Sequence, residues 1–311
     1  MGHEFDYLIK KIRSAEFESN PFKHLHIESF LSDEHFAAVV GAREIDTTAA
    51  NTPEQLLDQL ESVGYKAISF PGCVTSKAEY LKWLEGESQK SVHKATEGFG
   101  MVLRLTPPNG SILEALDAFL KSDEMKEALA NKFELEGELV VDAGIQKYLH
   151  GYEISPHPDT RRKALTWMFN ANPGSDSENA DIHTHYMTFK PEWAFISSFW
   201  QGNQDVDRCW VPWDWCETRK QQRNNNSIVF FAPSEDTMHA VKANYDHLKT
   251  QRTQFYGNLW YKVDPMLPKV EFEDLDIRAH MAASSSTLNS MKRTAAGRAA
   301  ISLAKKFKER V

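Results

Sequence analysis

Twelve histidines are spread over 311 residues, so spacing and company must single out those that do chemistry. One candidate lies in Tyr148-Leu-His-Gly-Tyr-Glu-Ile-Ser-Pro-His-Pro-Asp, where His157 and Asp159 stand two apart. Residues two apart on extended chain share a face, so an imidazole nitrogen and a carboxylate oxygen there can converge on one cation. Alone, a His-x-Asp pair is a weak signal. A second stretch, Ser227 to Val241, runs from an apolar strand through a turn into a short strand carrying His239. Thirteen positions later Arg252 opens another strand, which leaves room for a turn and a return to the same pocket. Two imidazoles and one carboxylate on one face of Fe(II) leave three coordination positions open. The arginine adds a planar, permanently charged fork for a carboxylate. Together they suit a 2-oxo acid, with its keto and near carboxylate oxygens on the metal and its far carboxylate on the guanidinium.

The order His157-x-Asp159, then His239, then Arg252 resembles the 2-oxoglutarate/Fe(II)-dependent dioxygenases. The wording around it is similar to their prolyl-hydroxylase-like branch. Residues 148–159 resemble that branch's Tyr-x-x-Gly-x-x-x-x-x-His-x-Asp strand pair, and Lys163-Ala-Leu-Thr-Trp-Met-Phe-Asn-Ala-Asn-Pro its following strand. Pro21-Phe-Lys-His-Leu-His-Ile-Glu-Ser-Phe-Leu is similar to its opening strand. The likeness covers residues 21–36 and 145–262.

A mostly helical first part followed by a strand-rich part fits an α+β protein, and the resemblance implies a double-stranded β-helix, or jelly-roll, core with helices packed on its outer sheet. It implies iron ligation by His157, Asp159 and His239, and Arg252 on the distal carboxylate of 2-oxoglutarate, with Tyr148 and Thr166 as further co-substrate contacts. Fe(II), 2-oxoglutarate and O2 are then the expected cofactors, with ascorbate as a stimulant. Hydroxylation of an unactivated C–H bond, with release of succinate and CO2, is the expected reaction. Because Asp159 is present, hydroxylation is expected rather than halogenation, which in related enzymes goes with loss of that carboxylate. The branch's Gly-Gly-Glu-Leu strand is replaced here by Asp181-Ile-His-Thr-His-Tyr-Met-Thr-Phe, so the pocket rim, and with it the substrate, does not transfer. A small molecule, an amino acid and a peptidyl side chain all stay open. Two other classes compete: a non-catalytic jelly-roll binding module, and a cupin-like metalloprotein that does not use 2-oxoglutarate. Neither needs a guanidinium beside the metal.

Other residues have plainer readings. His183 and His185 form a His-x-His pair that could hold a second metal, but they read more simply as rim or surface. His247 is the rival third ligand, set in the polar connection Asn-Tyr-Asp-His-Leu-Lys-Thr. Trp210, Trp213 and Trp215 could wall a substrate site, though a packed aromatic face is the simpler reading. Cys209 and Cys216 lack zinc-site spacing and read as ordinary thiols.

These residues need a scaffold. The first 135 residues read as mostly helical. Thr52-Pro-Glu-Gln precedes Leu56, Leu57 and Leu60 as a cap, a first-turn proline and an early acid. Ser76-Lys-Ala-Glu is a capping-box pattern. From about 139 to 263 the periodicity shortens to predicted strands at 145–149, 164–169, 186–189, 194–200, 228–231 and 253–261, separated by turn clusters. The expected organisation is one oxygenase domain over 1–284, with a helical elaboration at about 47–135 and the jelly-roll core at about 139–263. A basic amphipathic helical tail is expected over 285–311. The tail carries seven basic residues and one acid, which is +6 and leaves −14 for the rest of a chain of net charge −8. Its apolar positions from Leu288 to Val311 suggest docking on the acidic body or self-association, with a membrane surface as the alternative.

Composition closes several other readings. Net negative charge disfavours nucleic acid as a partner. No apolar run is long enough for a transmembrane span, and the opening residues carry no secretory signal pattern. Three cysteines are too few for a disulfide framework, so a cytoplasmic setting is expected.

Overall fold

Helices cover one face of an antiparallel sheet, and a second sheet closes over its other face. The computed structural model describes residues 4–69, 72–86, 95–105, 107 and 111–262. The expected tail at 285–311 lies outside them. Among the described residues, a first compact unit takes in all but Gly202–Asp205. The first unit holds both sheets.

The N-terminal half supplies α1 (Asp6–Ser14), β1 (Leu25–Ile27), α2 (Asp33–Val40), α3 (Pro53–Ser62), β2 (Tyr65–Ala67), α4 (Lys77–Glu85), β3 (Val102–Leu105), α5 (Ile112–Leu120) and α6 (Asp123–Phe133). Its helix starts are written in the sequence: Thr52 Oγ1 accepts from Gln55 N at 3.2 Å, and Ser76, Ser111 and Ser122 cap their helices in the same way. Leu56, Leu57 and Leu60 of α3 are buried, each worth about 2 kcal/mol against exposure. This half is less purely helical than expected, because β2 and β3 join the large sheet.

The second half contributes β4 (Leu139–Tyr148), β5 (Glu153–His157), β6 (Lys163–Asn170), β7 (Thr184–Phe189), α7 (Phe195–Gly202), β8 (Cys216–Gln222), β9 (Ile228–Phe231), β10 (His239–Lys242) and β11 (Arg252–Tyr261). The larger sheet has the order β1-β9-β6-β11-β4-β3-β2, the smaller β5-β10-β7-β8. Every pairing is antiparallel, and the fold is α+β.

One predicted strand is corrected. Residues 194–200 are helical: α7 follows a 3-10 turn at Pro191–Trp193. Ile196 is the stretch's only β-branched residue, and its four-residue spacing from Trp200 lets a helix bury both while Phe195 and Phe199 stay exposed.

Alternation on the larger sheet sorts its side chains into two layers. Ile145, Trp167, Phe169, Phe255 and Leu259 pack with the helices in the main core. Gln146, Tyr148, Thr166, Met168, Arg252, Gln254 and Asn258 line a cavity instead, together with His157, Thr184 and His239 from the smaller sheet. Lys147 falls on the helix side, where its Nζ donates to Ile45 O at 2.9 Å and Thr253 Oγ1 at 3.0 Å, and burial pushes its pKa down to about 7. Gly257 is needed for close approach: a Cβ there would lie 2.0 Å from Trp167 Cζ2.

Candidate metal centre

Strand register brings the site together. His239 on β10 pairs directly with His157 on β5 and with Tyr186 on β7. Directly opposed residues have close Cβ atoms, and the two imidazole centroids lie 4.3 Å apart. Asp159 follows two residues after the end of β5 and reaches both rings: Oδ1 is 3.9 Å from His157 Nε2, and Oδ2 is 3.9 Å from His239 Nε2. A cation midway across such a gap sits about 2 Å from each atom, the length of a metal–nitrogen or metal–oxygen bond. His157, Asp159 and His239 form the one group of three or more such side chains among the described residues with donor atoms all within 4.8 Å.

The local hydrogen bonds prepare these donors. His157 Nδ1 donates to Ser155 O at 2.8 Å, and His239 Nδ1 to Thr237 O at 3.0 Å. A carbonyl only accepts, so the proton sits on Nδ1 and each Nε2 lone pair faces the carboxylate. Burial, and then the neighbouring His239, pushes the His157 pKa down to about 3; burial also lowers that of His239. Both rings are therefore neutral at physiological pH and ready to ligate. Burial alone would raise Asp159, but Lys163 and the two imidazoles outweigh it and hold the carboxyl well below the usual range. Lys163 Nζ donates to Asp159 Oδ1 at 2.6 Å, and Thr166 Oγ1 to Oδ2 at 2.5 Å.

Arg252 opens β11 opposite Tyr148 of β4. Its guanidinium lies over the Tyr148 ring, 4.4 Å from the centroid, and its Nη2 donates to Thr184 Oγ1 at 2.9 Å. The residue is 3% exposed, yet Nη1 has no hydrogen-bond partner among the described residues, and no described carboxylate pairs with it. A guanidinium stays charged even when buried, and an unpaired buried charge is costly. Arg252 lines the same cavity as the triad, about 340 Å³ in volume. The residues present therefore fit both groups: a divalent cation at the two imidazoles and the carboxylate, and the carboxylate of an anion at Arg252.

The remaining sequence candidates separate cleanly. Tyr148 and Thr166 both line the cavity, with the Tyr148 hydroxyl donating to Gln146 Oε1 at 2.7 Å. His247 stands away from the triad, its Nδ1 accepting from His150 N at 2.8 Å; burial pushes it down to about 4. His183 Nε2 donates to Glu178 O at 3.1 Å, while His185 Nδ1 meets Thr218 Oγ1 at 2.9 Å. Thr184 between them meets Arg252, as alternation on β7 requires. Trp193 and Trp215 stack with centroids 4.2 Å apart, so part of the tryptophan run is packing. Trp210 instead stacks on His157 at 5.8 Å and lines the cavity. Sequence reasoning gave no role to Lys163, Thr184 or Arg208. Lys163 stands four residues after Asp159, but that spacing carries meaning only once the chain turns back beneath the carboxylate.

No protein-family model matches the chain, and no curated protein matches it. Among solved structures, the chain is similar to a prolyl-4-hydroxylase from Pseudomonas putida at 12% identity, covering 83% of this chain and 99% of that one with a TM-score of 0.40. It is similar to a prolyl hydroxylase from Trichoplax adhaerens, solved with a hypoxia inducible factor peptide fragment, at 10% identity, 82% and 88% coverage and a TM-score of 0.36. A 2OG-Fe(II) oxygenase family oxidoreductase from Burkholderia pseudomallei matches at 12% identity, 68% and 92% coverage and a TM-score of 0.29.

Proposed function

We propose that this protein is an Fe(II)- and 2-oxoglutarate-dependent dioxygenase that hydroxylates an unactivated C–H bond. The observation that carries the reading is Arg252: a buried guanidinium with a free Nη1 and no described carboxylate, in one cavity with two neutral imidazoles and an ionised aspartate. A cupin-like metal site or a passive binding module gives no reason to bury that charge. The strand order supports a double-stranded β-helix: from β4 to β11 the chain passes between the two sheets, with β7 and β8 consecutive in the smaller one.

His157, Asp159 and His239 would hold the iron, and Arg252 the far carboxylate of 2-oxoglutarate. When bound, iron, 2-oxoglutarate and O2 supply oxidative decarboxylation to succinate and CO2, coupled to oxidation of the substrate. The chain's own part is placement. Ser155 and Thr237 carbonyls fix the imidazole tautomers, Thr166 and Lys163 steady Asp159, and Thr184 and the Tyr148 ring fix the fork of Arg252. The sheets exclude water around the reacting atoms. The substrate is a small molecule, an amino acid or a side chain on a peptide.

Two measurements test the reading. Anaerobic addition of 2-oxoglutarate to the Fe(II)-loaded protein is expected to produce a visible charge-transfer absorption, and aerobic incubation with ascorbate to release succinate. Absence of both from iron-loaded protein would rule the oxygenase out.

A further inference from the structure

Beyond Arg252, the cavity holds a second buried guanidinium whose hydrogen-bonding capacity is unused. Arg208 is 6% exposed and lines the cavity, and its Nε has no partner among the described residues. Its nearest acid is Glu235, 3.9 Å from Nη1, and that carboxylate is already bonded to Arg161 Nη1 at 2.7 Å. Two neighbours share the deficit. Trp210 Nε1 and Thr160 Oγ1 are buried polar atoms without partners, and both residues line the same cavity. Buried donors are rarely left unmet, because each costs its full desolvation. Arg104 Nε, Trp167 Nε1 and Gln254 Oε1 are unmet elsewhere in the same lining, and the three groups on residues 160, 208 and 210 call for a ligand that accepts hydrogen bonds.

The place is built. Arg161 holds the segment that carries Arg208, with Nε donating to Val206 O at 3.4 Å and its backbone N to Asp207 Oδ1 at 3.4 Å. Val211 N bonds to Pro156 O at 2.8 Å, laying the segment along β5. The stacking of Trp210 on His157 puts these donors beside the metal ligands, on a different element from Arg252. Charge agrees. Arg104, Lys163, Arg208 and Arg252 face Glu97, Asp142 and Asp159 around the cavity, a net +1 before any cation binds.

We propose that Arg208, with Trp210 Nε1 and Thr160 Oγ1, receives an anionic oxygen group of the substrate, which makes the substrate a small acid. This deepens the oxygenase reading and rests on it. The apolar walls of Trp210, Trp260 and Pro158 suit a hydrophobic or aromatic body attached to that group. Burial lowers the Arg208 pKa, with Glu235 opposing, and an arginine remains cationic under that pull.

The test uses full-length protein loaded with Mn(II), which does not turn over, and 2-oxoglutarate. Calorimetric titration compares phenylacetate and phenyl phosphate with the neutral isostere phenylacetamide. An acid probe is expected to bind at least ~10-fold more tightly than the amide, the worth of a hydrogen bond to a charged group. The stronger of the two acids identifies the oxyanion as carboxylate or phosphate. R208Q is expected to erase the preference and W210F to weaken it several-fold, and both should retain 2-oxoglutarate binding. Thermal unfolding checks that each variant folds, and W210F decides the matter if R208Q does not. Equal binding of acid and amide, no binding of either acid, or an unchanged preference in folded R208Q or W210F would overturn the proposal. So would loss of 2-oxoglutarate binding in R208Q, which would assign the arginine to the co-substrate. Failure of the wild-type protein to bind 2-oxoglutarate at all would instead sink the oxygenase reading.

Discussion

Asp159 is gripped on both oxygens, by the Lys163 ammonium and by the Thr166 hydroxyl. Such bonds orient a carboxylate toward a metal and leave lone pairs free for it. Asp159→Ala is expected to remove turnover altogether and to weaken Co(II) binding, followed by its visible spectrum. Arg252→Ala leaves the donors at the metal intact, so the Michaelis constant for 2-oxoglutarate should rise ~10–100-fold with a smaller fall in kcat; a collapse of kcat alone would misplace the arginine. That His157, Asp159, His239 and Arg252 share one cavity could be anticipated because the chain writes them in a fixed order, three of them on strands and Asp159 just past one. Thr184, Lys163 and Arg208 could not be. Their roles come from register and from an irregular segment folded against β5, which no local spacing records.

At the level of strands and helices, the pairing of Gly257 with Trp167 across β11 and β6 leaves no room for a Cβ. Trp167 is fully buried, with its ring in the main core. Gly257→Ala should therefore cost about 1–3 kcal/mol, the range for overpacking a close-packed interior, read as a lower urea midpoint with an unchanged slope; a neutral result would mean the indole can swing aside. Capped helices such as α3 and α4 were readable because a cap is a local signal. Residues 194–200 were not, because a short apolar run satisfies either period. The choice fell to burial, which a helix met with Ile196 and Trp200 together.

For the molecule as a whole, several buried histidines set the response to acid. His157 is pushed down to about 3, and His183 and His247 to about 4, from an ordinary value of 6.5. Between those limits the unfolded chain takes up protons that the native one refuses. The metal-free protein should therefore lose stability as pH falls from about 6.5 to about 4, by up to about 1.4 kcal/mol per pH unit for each such histidine. Urea midpoints at pH 7.5 and 5 would show it, and equal midpoints would contradict the buried neutral state. The α+β class, the helical first half and the strand-rich second half could be read from composition and period. That β2 and β3 would extend the large sheet could not, since pairing between distant segments leaves no local mark.

That extension bears on how the protein can be dissected. β1 runs along β9 and β3 along β4, so a fragment trimmed to Leu139–Tyr261 would carry two raw flanks of unpaired peptide groups. Bare flanks recruit strands from other chains. The excised fragment is expected to precipitate rather than to stay in solution.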